Sequence, residues 1–197
     1  MFSTNRTRKG ILSLCLAATA LVGTSALRDA PAHAKEVGEA RSTESEFEYR
    51  VKAEVLERLT RFIEWPQLHP SGTFVIGVVG RNPFGGSLER IARERGFKGL
   101  RTVVRELGSA NGAEGCHLVF VSREGLPHLE ELLGRTRGRP VLTVGDTPGL
   151  AQRGVIINLL TERHHLHFEV NPSQAKASGL KISSKLLRLG RVVEGTR

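Results

Sequence analysis

Val141 to Val193 reads VLTVGDTPGLAQRGVIINLLTERHHLHFEVNPSQAKASGLKISSKLLRLGRVV, and its alternation of apolar runs with turn residues decides the fold. Val141 to Val144 and Val155 to Leu160 are apolar runs rich in β-branched residues on either side of Gly145-Asp146-Thr147-Pro148-Gly149, which predicts two buried strands joined through a turn. Leu166, Phe168 and Val170 then alternate with His165, His167 and Glu169, the period of two that an antiparallel edge strand shows when one face is packed and the other wet. Asn171 is placed to cap a short helix over Ser173 to Ser178, with Pro172 at its first position and Gly179 at its end.

Working outward, Tyr49 to Trp65 carries Val51, Val55, Leu56, Leu59, Phe62 and Ile63 at three- and four-residue steps, an amphipathic helix stopped by Pro66. Glu54 with Arg58 and Glu57 with Arg61 are spaced to pair on its wet face. Phe74 to Val79 reads as a strand, followed by a glycine loop and a helix with Leu88, Ile91 and Ala92 on one face. Thr102 to Leu107 and His117 to Ser122 read as two further strands. Leu126, Leu129, Leu132 and Leu133 mark a helix ending near Gly134. Short apolar strands alternating with helices predict an α/β three-layer sandwich: a mostly parallel open sheet of about six strands, an antiparallel edge strand, and helices on both faces. The expected domain spans 47–193, with 194–197 as a tail.

The first residues have a different composition. Arg6, Arg8 and Lys9 precede an apolar run from Ile11 to Val22, and Ala32-His33-Ala34 offers a small-x-small cleavage site, the three parts of a secretory signal peptide over 1–34. The run has 12 residues, short of the roughly 20 that span a bilayer. Thr24-Ser25-Ala26 is a second candidate site. The polar, acidic stretch 35–46 reads as a tether, and the remaining chain is long enough for one core. Of 29 Lys and Arg and 20 Asp and Glu, cleavage after Ala34 removes four and one, leaving a net charge of +6. An exported basic domain with no basic run interleaved with aromatics is expected to meet an acidic protein or an anionic envelope surface, not nucleic acid. Cys15 leaves with the signal, so Cys116 stands alone, without an intramolecular disulfide, at the start of an apolar strand where a thiol is a small core residue.

The motifs for chemistry are incomplete. Gly80-Arg81-Asn82-Pro83-Phe84-Gly85-Gly86-Ser87 lies between a strand and a helix like a phosphate cradle but lacks the lysine that reaches the outer phosphates. His165 and His167 share one face of a strand while His164 points away, and no further ligand completes a metal site. Ser178-Gly179-Leu180-Lys181 matches the S-x-x-K of penicillin-recognising enzymes, yet falls at a helix end and has neither companion motif. No catalytic residue, metal or cofactor is therefore assigned. The candidate ligand or partner loops are Gly80, Asn82, Phe84, Gly85 and Ser87, with Asp146 and Thr147 where open α/β sheets bind ligands. The candidate partner surface is His165, His167, Lys185, Arg188 and Arg191.

Val51-Lys52-Ala53, Phe62-Ile63-Glu64-Trp65-Pro66, Phe74 to Gly80 with Pro83-Phe84-Gly85 and Leu88, Cys116 to Ser122, Val141 to Gly149, Gly154 to Asn158, Phe168 to Asn171 and Ser178 to Leu187 stand in an order that closely resembles the YfiR family of periplasmic proteins. The resemblance implies an α/β sandwich without enzymatic activity. It further implies a periplasmic repressor that binds the sensor portion of an inner-membrane signalling protein, a diguanylate cyclase or a kinase sensor, and lowers cyclic di-GMP. An outer-membrane lipoprotein that sequesters the repressor is a second implied partner. A homodimer and a periplasmic small-ligand receptor using the two loops above stay open beside it. The repressor that names the family is associated with intramolecular disulfides, which one mature cysteine cannot form.

Overall fold

A computed structural model describes residues 32–69 and 71–194, with side chains from Thr43 onward. Most of the expected signal segment, through residue 31, lies outside the described residues. Helix α1 spans Ala32–Thr60 and so takes in the 35–46 stretch expected as a tether. Its buried stripe is Lys52, Ala53, Leu56, Leu59 and Thr60, while Val51 and Val55 are only half-buried, so the packed face is rotated from the expected one. The helix also stops five residues before Trp65. Its last turn tightens through Phe62 N–H donating to the Leu59 carbonyl, and the Lys98 ammonium donates to the carbonyls of Thr60 (3.3 Å) and Ile63 (2.9 Å). Ile63–Glu64 then forms a short strand, β1. Glu54 pairs with Arg90 and Arg95 instead of Arg58. Glu57, expected on the wet face, is buried, and its carboxylate meets the exposed Arg61 at 2.9 Å.

The remaining elements follow as β2 Thr73–Val79, α2 Ser87–Glu94, β3 Arg101–Leu107, β4 Leu118–Val121, α3 Leu129–Thr136, β5 Leu142–Gly145, β6 Ile157–Glu162, β7 His165–Val170, α4 Pro172–Ala177, β8 Lys181–Ile182, α5 Ser184–Leu189 and β9 Arg191–Val192. The main sheet has the order β3-β2-β4-β5-β6-β7-β9, and β1 pairs with β8 in a separate antiparallel ladder. All pairs from β3 to β6 are parallel, β6 and β7 are antiparallel, and β9 is parallel to β7. The sheet thus has seven strands where about six were expected. The antiparallel strand β7 is next to the edge, because Arg191 and Val192 pair with Glu169 and Val170.

Strand alternation assigns the layers. Phe74, Ile76, Val78, Leu118, Phe120, Leu142 and Val144 pack with α1, α2, Ala175 of α4 and Leu186 of α5 in one core. Val79, Val119 and Val121 point the other way and pack with Leu129 and Leu132 of α3 in a second core. Helices on both faces of a mostly parallel sheet make the expected three-layer α/β sandwich. Gly77 is needed at the second core, since a Cβ there would stand 2.8 Å from Leu107 Cδ1 and 2.9 Å from Cys116 Sγ. Asn171 caps α4 as expected, its Oδ1 accepting from Gln174 N–H at 2.9 Å.

Candidate functional site

The order of the parallel strands has one point where the chain reverses its progress across the sheet, between β2 and its neighbours β3 and β4. Open α/β sheets bind ligands at the carboxyl ends of the strands flanking such a point. Here the loops following β2 and β4 close that crevice. Gly80 has φ +84°, and a Cβ on it would fall 2.4 Å from Gly125 N, while a Cβ on Gly125 would fall 2.2 Å from the Val79 carbonyl oxygen. Only two glycines allow backbones to approach this closely.

The glycine loop is also occupied by itself. Asn82 Oδ1 accepts from Phe84 N–H (3.0 Å), Asn82 Nδ2 donates to Glu89 (3.2 Å), and Ser87 N–H donates to the Phe84 carbonyl (2.9 Å). Two N–H groups that a phosphate would need are therefore spent on the turn. Gly85 and Gly86 supply its left-handed residues at φ +55° and +82°. Phe84 is 2% exposed and packs edge-on to Phe120 (4.7 Å) and Tyr49 (5.6 Å). It is a core residue, not a contact residue.

Asp146 follows β5, and its buried carboxylate meets the Lys52 ammonium at 2.9 Å. Lys52 also meets Glu48 at 2.6 Å and lies 4.5 Å from the Tyr49 ring centroid. Burial, together with the charge of and hydrogen bond to Asp146 and the charges of Glu48 and Glu124, raises the Tyr49 hydroxyl well above the ordinary tyrosine range. For Glu48, burial alone would raise the carboxyl, but hydrogen bonds from Lys52 and Thr161 outweigh it and hold the group below its ordinary value. The Thr147 carbonyl accepts from Asn158 Nδ2 (2.9 Å), which also reaches the buried Glu169 (3.3 Å). Asp146 and the glycine loop thus do converge on one end of the sheet, and Tyr49 and Lys52 of α1 fill the space between them. The arrangement anchors a helix. Its carboxylate is held by an ammonium.

Lys52, Glu48 and Tyr49 escaped the reading of the residues, although the signal was present. Positions 49, 52, 53, 56, 59 and 60 form one helical stripe, and a lysine inside an otherwise apolar stripe demands a buried carboxylate.

The surface residues are spread along the β7–β9 side. His165 is exposed at the hairpin end, and His167 lies 3.9 Å from Glu162. Arg191 is 3.9 Å from Glu169 at the opposite end of β7, with Lys185 and Arg188 exposed on α5. His164 and Arg163 occupy a two-residue turn at φ +65° and +49°. Among the described residues no group of three or more His, Cys, Asp or Glu could hold a metal ion. Cys116 is buried, and burial pushes its thiol above the ordinary range. One pocket adjoins the Lys52–Asp146 cluster at Glu48, and another lies away from it. The first, about 220 Å³, is lined by Phe47, Val51 and Leu166 with Glu44, Glu48, Thr161 and His164. The other, about 240 Å³, is bordered by Trp65, Cys116, His117 and Arg139.

Among the described residues no helix is long and apolar enough to cross a membrane. No curated protein matches the sequence. A solved structure described as the ABC domain in complex with L-Trp from Streptococcus pneumonia aligns with a TM-score of 0.46 at 12% identity, covering 74% of this chain and 60% of that one. The chain therefore spans less than two thirds of that structure's length. A family model described as YfiR/HmsC-like matches residues 49–191, from Tyr49 in α1 to Arg191 in β9. Since the match runs from within α1 to the start of β9 and covers well over half of the sequence, the chain belongs to the YfiR/HmsC-like family.

Proposed function

We propose that this chain is a non-catalytic periplasmic regulator, exported by a cleaved signal peptide. It binds the periplasmic sensor region of an inner-membrane enzyme, a diguanylate cyclase, and holds it inactive. Family membership over 49–191 is the observation that carries the reading. The geometry supports it: the crevice where this fold class would bind a substrate is filled by Tyr49 and Lys52, and Asp146 is tied to Lys52 at 2.9 Å. A domain of this kind acts by differential affinity, shifting a receptor toward whichever state it binds more tightly. An outer-membrane lipoprotein that removes the regulator from the cyclase is the expected second partner.

Deleting the gene should raise cellular cyclic di-GMP, and expression of the exported protein should lower it again. Unchanged cyclic di-GMP on deletion, with no membrane sensor retained by the purified protein, overturns the reading.

A further inference from the structure

The two edges of the sheet are finished differently. On one side β9 covers β7 over two residues, Arg191 and Val192. On the other, β3 runs in unbroken register along β2 for seven residues, from Thr73 opposite Arg101 to Val79 opposite Leu107, and among the described residues no strand pairs with its outer side. An edge strand leaves a row of N–H and C=O groups directed outward. Proteins usually blunt such an edge with a proline, a bulge, a short strand or charged side chains. Arg101-Thr102-Val103-Val104-Arg105-Glu106-Leu107 has neither proline nor bulge and is not short; its charges alone guard the edge, and they are selective ones.

We propose that the free edge of β3 is a docking site for an extended acidic segment of a partner protein, added to the sheet as one more strand. The charges on the edge select the occupant. The register with β2 puts Arg101, Val103, Arg105 and Leu107 on the face toward α3, and Thr102, Val104 and Glu106 on the other. Arg101 and Arg105 are exposed, form no ion pair among the described residues, and stand about 13 Å apart on one face. Between them Val103 is half-buried and offers an apolar contact. A strand carrying two carboxylates four residues apart on one face, with a small apolar residue between, matches this pattern in charge and spacing.

A second copy of the chain fits poorly. Antiparallel self-pairing centred on Val103 sets Arg101 opposite Arg105, a like-charge pair. Centring on Val104 sets Arg105 against Val103 and Thr102 against Glu106, which compensates neither arginine. The edge therefore disfavours its own sequence while favouring a carboxylate-bearing one.

This inference does not depend on which enzyme is regulated. The test uses the purified protein and a fluorescent peptide of about ten residues that alternates Val and Thr and carries two Glu four residues apart, with a control bearing Lys in place of Glu. The Glu peptide should bind saturably and protect the amides of Arg101–Leu107 from hydrogen exchange, and the Lys peptide should bind more weakly. Exchanging both exposed arginines, Arg101→Glu with Arg105→Glu, leaves the core untouched and should weaken the Glu peptide about tenfold or more and reverse the preference. The proposal is overturned by equal binding of the two peptides, by binding insensitive to the double exchange, by protection elsewhere, or by no saturable binding. No membrane enzyme enters this experiment, so its failure leaves the regulator reading standing. Unchanged cyclic di-GMP on gene deletion would in turn leave the edge result standing.

Discussion

The face of the sheet under α1 buries an ammonium–carboxylate pair, with Lys52, Asp146 and Glu57 all drawn inside beside Phe74, Phe84 and Phe120, whereas the other face is closed directly beneath α3 by Val119, Val121, Leu129, Leu132 and the neutral Cys116, with the buried Glu169 farther out on β7. The two faces solve one packing problem by different means. Under α3 burial is non-directional, so its precision comes from shape, as at Gly77, where Leu107 and Cys116 occupy the space a side chain would need. Under α1 the ionic pair costs desolvation and is compensated only when Lys52 stands over Asp146. That requirement fixes where α1 sits along the sheet, and with it the side chains that close the crevice.

The largest expected effect breaks the charged face. Asp146→Ala leaves the Lys52 ammonium buried with only the partly exposed Glu48, and should cost about 3 kcal/mol in urea unfolding. Lys52→Met combined with Asp146→Ala should recover much of that loss, since two neutral groups need no mutual compensation. If the double variant is as unstable as the single one, the pair is not the reason for the cost. The apolar face should respond less. Gly77→Ala places a methyl against Leu107 and Cys116, an overpacking expected to cost about 2 kcal/mol by the same measurement. A loss no larger than that of an exposed substitution would show that this face yields easily.

How much of this was legible follows from the range of each interaction. β5, β6 and the capped helix α4 could be read because their signals are local: an apolar run, a period of two, and Asn171 ahead of Pro172. β1, β8 and β9 could not, because two-residue strands such as Ile63–Glu64 and Lys181–Ile182 exist only through pairing with each other across the chain. The same limit set the edge at β7: nothing near Arg191 and Val192 announces that they return to Glu169. The closure of the crevice was half legible. Gly80 and Asp146 stood out as positions at strand ends, but their contacts with Gly125 and Lys52 come from loops and helices distant in sequence. Placing Glu57 on the wet face of α1 hid its burial, whereas Lys52 lies within the helical stripe itself.

The smallest effect distinguishes the faces by titration, because each holds one acid whose neutral form is favoured on folding. Burial raises the Cys116 thiol from its ordinary 9.0, and burial with neighbouring carboxylates raises the Tyr49 hydroxyl from 10.0. For a group raised in the folded state, the unfolded chain ionises first as pH increases. Its contribution is therefore complete below the unfolded value and is lost as pH climbs toward the folded one. Stability should accordingly begin to fall near pH 9 through the α3 face and fall further above pH 10 through the α1 face. Cys116→Ala should remove the first part of the decline and Tyr49→Phe the second, each measured against that variant's own urea midpoint at neutral pH so that lost packing cancels. If Tyr49→Phe leaves the upper limb unchanged, the Asp146 cluster does not hold the hydroxyl neutral. If Cys116→Ala leaves the lower limb unchanged, the thiol is less enclosed than its contacts with Gly77 and Gly112 indicate.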